Sequence, residues 1–165
     1  MSKVLIIGLI ILSLAAIIGS YFILVGGQKP QIQIISYSVY DKERPKVEAK
    51  TTFSDLGTMK VSEDRSANFK IKNIGQKPLQ LNNVSSSCNC TFGQVVIDGR
   101  ESEVFGMHNV SDFAGEVPPG KEVIIKATYR PSIMPVYGVV GREVYVNTND
   151  PENPKLVFKV KANVN

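Results

Sequence analysis

An antiparallel β-sandwich of about seven strands, behind a single N-terminal transmembrane helix, is the fold class the sequence predicts. Three features carry it. Residues 4–25, VLIIGLIILSLAAIIGSYFILV, hold no charged side chain. Beyond residue 53, apolar residues recur at every second position, the period of a half-buried strand. Gly- and Pro-rich turns separate these runs, and no amphipathic helix of useful length follows the span.

The 22 uncharged residues of the span would be about 33 Å long as a helix, against a hydrocarbon core of roughly 30 Å. A cleavable export signal is the competing reading. Its apolar region runs about 7–15 residues, and LVGGQ at the end of the span is a weak cleavage site. The expectation is an uncleaved signal anchor over residues 1–27, with contact to the membrane through residues 4–25. Lys3 before the span and Lys29, Lys42 and Arg44 after it barely bias orientation. Three residues ahead of the span leave nothing there to fold, so the soluble part is expected on the extracytoplasmic, periplasmic face. Gly8, Ser13, Ala15, Ala16, Gly19 and Ser20 are small enough for a partner's helix to approach closely.

The chain carries 19 Lys and Arg against 15 Asp and Glu. The signs are interspersed, with no basic run and no aromatic platform between cations, so nucleic-acid binding is disfavoured. Residues 28–46, QKPQIQIISYSVYDKERPK, hold two prolines and mostly polar residues. They are expected to form a stalk, with an extra edge strand at Gln31–Ile35 as the alternative. Residues 47–165 then make one domain with room for one core.

Within that domain the alternation is clearest in Asn68–Lys72, where Phe69 and Ile71 share a face. It recurs through Val123, Ile125, Ala127 and Tyr129, through Val144 and Val146, and through Phe158, Val160 and Ala162. NIGQKP at 73–78, VPPGK at 117–121 and NTNDPENP at 147–154 supply the turn chemistry between strands. Residues 94–116 are expected to be an inserted loop. The chain has no Trp, so a cysteine–tryptophan–cysteine core of the antibody type is excluded.

Several of these segments together resemble a bacterial family of uncharacterised Ig-like domains related to the ASH, major-sperm-protein and PapD-like group. The resemblance rests on Asp55-Leu56-Gly57, read as a turn, and on Asn73-x-Gly75-x-x-Pro78-Leu79. Ser87-Cys88-x-Cys90-Thr91, Pro118-Pro119-Gly120 and Asn149-Asp150-Pro151 complete it. It covers Phe53 to Ala162 and implies an Ig-like sandwich. It implies no biochemical activity.

Cys88 and Cys90 are the only cysteines. On an extended segment they would face the same side with Cα atoms about 6.6–6.8 Å apart, near the upper limit for a disulfide. Two such thiolates suit a soft ion, Cu(I) above all, with zinc the competitor. His108, the sole histidine, is the candidate third ligand; Met107 and Met134 are weaker thioether candidates. A local disulfide or redox pair, and two inert small hydrophobes, remain the other readings. The layout is similar to that of the copper-delivery protein of cytochrome oxidase assembly, an Ig-like domain on one anchor with a C-x-C pair.

No hydrolase, metalloprotease or phosphate-loop signature occurs, and the expectation is not an enzyme. Asn83, Asn89 and Asn109 head glycosylation triplets of the kind that arise by chance. The leading expectation is a periplasmic binding or assembly module, an accessory subunit working with an integral-membrane or envelope protein. The alternative is a Cu(I)-binding or copper-delivery protein using the C-x-C pair.

Overall fold

The computed structural model describes residues 2–26, 33–112 and 114–165. It forms two compact units that divide between Gln33 and Ile34.

The first unit holds helix α1, Lys3–Gly26. Large apolar side chains are exposed along it, Ile6, Ile10, Leu14, Ile17 and Tyr21 among them. The hydroxyls of Ser13 and Ser20 donate to the carbonyls of Ile10 and Ile17 at 2.9 Å, so neither needs water. Among the described residues no helix is long and apolar enough to cross a membrane.

The second unit is a two-layer all-β sandwich. In chain order its strands are β1 (Val47–Ala49), β2 (Phe53–Met59), β3 (Arg65–Asn73), β4 (Leu79–Ser86) and β5 (Thr91–Ile97). They continue as β6 (Arg100–Glu101), β7 (Gly115–Val117), β8 (Glu122–Tyr129), β9 (Gly138–Thr148) and β10 (Lys155–Val164). The first sheet runs β1-β3-β8-β5-β6 and the second β2-β10-β9-β4-β7. Ten strands are described where about seven are expected. The surplus is β1, β6 and β7, edge pieces of two or three residues.

The antiparallel expectation fails at one pair. β2 runs parallel to β10, Phe53 opposite Lys159 and Met59 opposite Val164. The chain crosses from the first sheet to the second between Ala49 and Phe53. Asp55-Leu56-Gly57, expected as a turn, lies inside β2. It makes a bulge there: Gly57 has φ +72° and its amide donates to Asp55 Oδ1 at 2.8 Å.

The core follows the two-residue period. Phe69, Ile71, Ile125, Ala127, Val144, Val146, Phe158 and Val160 are buried between the sheets. Phe69 and Phe158 meet across the gap with ring centroids 5.1 Å apart. Burying a ring of this size contributes roughly 1.5–3 kcal/mol.

Two other expectations change. Of the predicted stalk, residues 28–32 lie outside the described residues, but residues 34–46 are bonded to the sandwich. The amide of Ile35 donates to Gln80 Oε1 at 2.8 Å, Ile74 N to Lys46 O at 2.8 Å, and Gln76 N to Arg44 O at 3.0 Å. Pro45 is buried. The predicted inserted loop, 94–116, begins and ends in sheet: it contains most of β5, then β6, and the start of β7. Gly93 masks β5 in the sequence, because the side chains of Val84 and Val144 occupy the space its own would fill.

Candidate functional site

β4 belongs to the second sheet and β5 to the first, so residues 87–90 carry the chain from one layer to the other. This crossing is where the two cysteines sit. The amide of Thr91 donates to the carbonyl of Cys88 at 3.2 Å, which closes a β-turn. The turn shortens the Cys88–Cys90 Cα distance to 5.3 Å, and the two sulfurs form a disulfide. The extended geometry expected for the pair does not occur. A segment changing sheets has to bend, and Asn89 is the residue at the bend.

Both layers hold the turn. Ser87 and Glu143 on β9 exchange two bonds at 3.0 Å, Ser87 N to Glu143 O and Glu143 N to Ser87 Oγ. The amide of Arg130, just past β8, donates to Cys90 O at 2.8 Å. Ser86 Oγ donates to Cys88 O at 2.9 Å.

The two sulfurs differ in their surroundings. Cys90 is 0% exposed and packs with Met59, Tyr129, Val140, Ala162 and Val164 in a small second core; Cys88 is partly exposed at its rim. Arg142 Nε donates to Cys90 Sγ at 3.3 Å. The same guanidinium lies 5.4 Å from the Tyr129 ring centroid and donates to Gly141 O at 2.9 Å. Cys88 Sγ accepts the amide of Cys90 at 3.2 Å and lies 3.3 Å from Thr91 Oγ1. The Tyr129 hydroxyl is buried with no hydrogen-bond partner among the described residues. Nearby, Arg130 stacks on Phe92 at 5.0 Å and forms an ion pair with Asp64 at 3.2 Å.

Of the residues the sequence singles out, only Cys88 and Cys90 are brought together, and by a covalent bond. His108 and Met107 are exposed in the loop between β6 and β7. Met107 and Met134 lie outside the core cluster that holds Cys90. Among the described residues no three His, Cys, Asp or Glu side chains group to hold a metal ion. In the disulfide form the pair does not fit a Cu(I) site. Neither sulfur is a thiolate, and a guanidinium stands 3.3 Å from one of them.

Arg142 is the residue the sequence reading leaves out, and Tyr129 is read there only as a core residue. A signal for Arg142 exists: it occupies an inward phase of β9, between Val140 and Val144. A charge at an apolar phase marks a side chain with a specific partner.

A second feature lies on the outer face of the second sheet. Gly141 has open space where a Cβ would stand. A shallow hollow forms there, with Phe53, Val139, Glu143, Lys159 and Lys161 among its lining residues. Glu143 accepts from Lys159, and from Tyr145 Oη at 2.8 Å. The bond to Lys159, then that to Tyr145, holds the Glu143 carboxyl below its ordinary value.

Residues 47–103 match a family described as protein of unknown function, DUF1573. No curated protein matches the chain. A protein of unknown function from Porphyromonas gingivalis W83 has a similar fold, at 24% identity and TM-score 0.54 over 73% of this chain. The matched part is 47% of that protein, so the chain spans about half its length. The ASH/PapD-like domain 7 of human CEP192 is similar over 82% of this chain and 98% of that domain, at 17% identity and TM-score 0.48. Residues 47–103 thus resemble an uncharacterised family, and the fold is similar to that of the Porphyromonas gingivalis protein.

Proposed function

We propose that the chain is a membrane-anchored binding module without catalytic activity. Its Ig-like domain, on the extracytoplasmic face, joins a larger membrane or envelope complex as an accessory subunit. The observation that carries this reading is an exposed apolar run from the link after β8 into the start of β9. Ile133, Met134, Val136, Tyr137 and Val139 are 48%, 47%, 41%, 66% and 69% exposed. A cluster of this kind is expected to be covered by a partner. The sandwich also offers an open edge: β1 covers only Ile71–Asn73 of β3, leaving Arg65–Lys70 without a strand on that side among the described residues. Such an edge can accept a partner's strand. The exposed apolar side chains along α1 support the anchor.

Mild-detergent extraction followed by sizing tests the reading. Wild type is expected to migrate with a larger complex, and a Tyr137→Asp, Val139→Asp variant as a free monomer. Free monomer from wild type under several gentle conditions would rule out the accessory-subunit role. Intact mass tests the anchor separately, since a mature chain starting near residue 28 removes it. A second reading, Cu(I) capture by Cys88 and Cys90, rests on the soft-ligand chemistry of the pair and requires the disulfide to be reduced first.

A further inference from the structure

We propose that the Cys88–Cys90 disulfide is a thiol–disulfide exchange site, in which Cys88 is the sulfur attacked and Cys90 the leaving thiolate, held by Arg142. This goes beyond the binding role and is independent of it.

The bond is poorly placed to serve as a staple. It closes a loop of three residues, sequence separation 2, and a loop that short removes little entropy from the unfolded chain. The turn it crosses is already tied by Thr91 N to Cys88 O, by the Ser87–Glu143 pair and by Arg130 N to Cys90 O.

The surroundings of the two sulfurs are instead arranged for exchange. Attack proceeds along the S–S axis on whichever sulfur a nucleophile can reach. Only Cys88 is partly exposed, while Cys90 is 0% exposed. Exchange is faster when the departing sulfur is a better thiolate, and a neighbouring cation makes it one. Arg142 supplies that cation at 3.3 Å from Cys90 Sγ, and a guanidinium keeps its charge at any working pH. Its bond to Gly141 O and its place over the Tyr129 ring fix it before reaction. Thr91 Oγ1 lies 3.3 Å from Cys88 Sγ and 4.0 Å from Cys90 Sγ, within reach of both.

The reductant is a dithiol. One of its thiolates attacks Cys88 Sγ, a new S–S bond forms between them, and the Cys88–Cys90 bond breaks with its electron pair on Cys90 Sγ. The second thiol of the dithiol loses its proton and attacks its own sulfur in the mixed disulfide. Cys88 then departs as a thiolate. Two electrons pass from the dithiol to the pair. The dithiol's two protons go to solvent, from which the Cys88 thiolate takes one back while Cys90 stays a thiolate beside Arg142. The reverse sequence oxidises a dithiol.

The test uses the full chain in detergent with dithiothreitol, reading the reduced fraction by alkylation and mass. Arg142→Met is expected to slow reduction by roughly 3–10-fold and to shift the equilibrium toward the disulfide, with Arg142→Lys in between. If Arg142 serves only to pack the corner, its loss exposes the bond and speeds reduction. Equal or faster reduction of Arg142→Met therefore overturns the proposal. Wild type treated with the monothiol glutathione, acid-quenched and fragment-mapped, is expected to carry the adduct on Cys88. An adduct on Cys90, or on both equally, overturns the assignment of the attacked sulfur. This second measurement needs no variant to fold.

Discussion

The carboxylate of Asp150 accepts the amide N–H of Val47 at 3.0 Å, across 103 positions of chain. The same oxygen takes Asn153 Nδ2 at 3.0 Å, and the other takes the amide of Glu152 at 3.0 Å. Asp150 is 0% exposed, so the turn after β9 and the first strand of the sandwich share one buried anion. Asp150→Ala is expected to destabilise the domain by about 2–4 kcal/mol, because it leaves buried donors without an acceptor. Asp150→Asn keeps one acceptor oxygen and should cost less. Urea unfolding of the two variants checks both the size and the order.

Gly75 lies against the backbone of the segment before β1. A Cβ there would stand 2.4 Å from Arg44 O and Lys46 N. Backbone cannot swing aside as a side chain can. Gly75→Ala is expected to cost about 1–3 kcal/mol and to free residues 34–46 for cleavage by a protease. Unchanged proteolysis of that segment would mean it is held chiefly by the Ile35–Gln80 and Arg44–Glu152 contacts.

Reducing the disulfide should leave the domain folded. For a three-residue loop the chain-entropy relation gives a loss of only about 1.5 kcal/mol. Thermal unfolding of the oxidised and reduced protein measures it, and a collapse of the fold on reduction would make the bond a structural necessity.

Copper uptake separates the remaining readings of the pair. The oxidised chain is expected to bind no Cu(I) against a chromogenic competitor, and the reduced chain to bind it through Cys88 and Cys90. His108→Ala should change nothing, since His108 is exposed and belongs to no ligand cluster among the described residues. Equal uptake by the reduced wild type and a Cys88→Ser, Cys90→Ser variant ends the metal reading.

Glu143 and Tyr145 predict a small loss of stability at each end of the pH scale. The Glu143 carboxyl is held below its ordinary 4.5 by Lys159 first and Tyr145 second. Its contribution is complete above 4.5 and disappears as pH falls through the lower folded value. Tyr145 is raised above 10.0, first by its bond to Glu143 and then by burial. Its contribution is complete below 10.0 and disappears as pH rises through the higher folded value. Both groups are largely solvated, so screening keeps each effect under about 1 kcal/mol. Denaturation of wild type and Glu143→Gln between acid and neutral pH shows whether the acid-side loss belongs to this residue.

How legible each strand is in the sequence depends on what its neighbours do. β3 and β10 alternate cleanly because one face of each meets the core and the other meets water. β4 does not. Gln80 is buried by bonding its amide to Asn149 Oδ1 at 2.9 Å. Asn83, at φ +50°, lies where the pairing with β9 shifts register. β5 is hidden by Gly93, whose empty side is filled from other strands. The cysteine corner is half legible. The motif marks the two thiols, but their bonding depends on a turn made by Thr91 and held from β9 and β8. Arg142 reaches Cys90 across 52 positions of chain, a distance that no local pattern encodes.

β10 lies in the interior of the second sheet, with β2 on one side and β9 on the other, and Asn165 is bonded to Met59 and Val61 beyond it. The strand that completes this sheet is therefore among the last residues of the domain to be synthesised. Until Val164 has emerged, β2 and β9 are two edges with no middle, and the first sheet has only part of a layer to pack on. Such non-local closure is slow and all-or-none. The sandwich therefore cannot lock before its last strand is present.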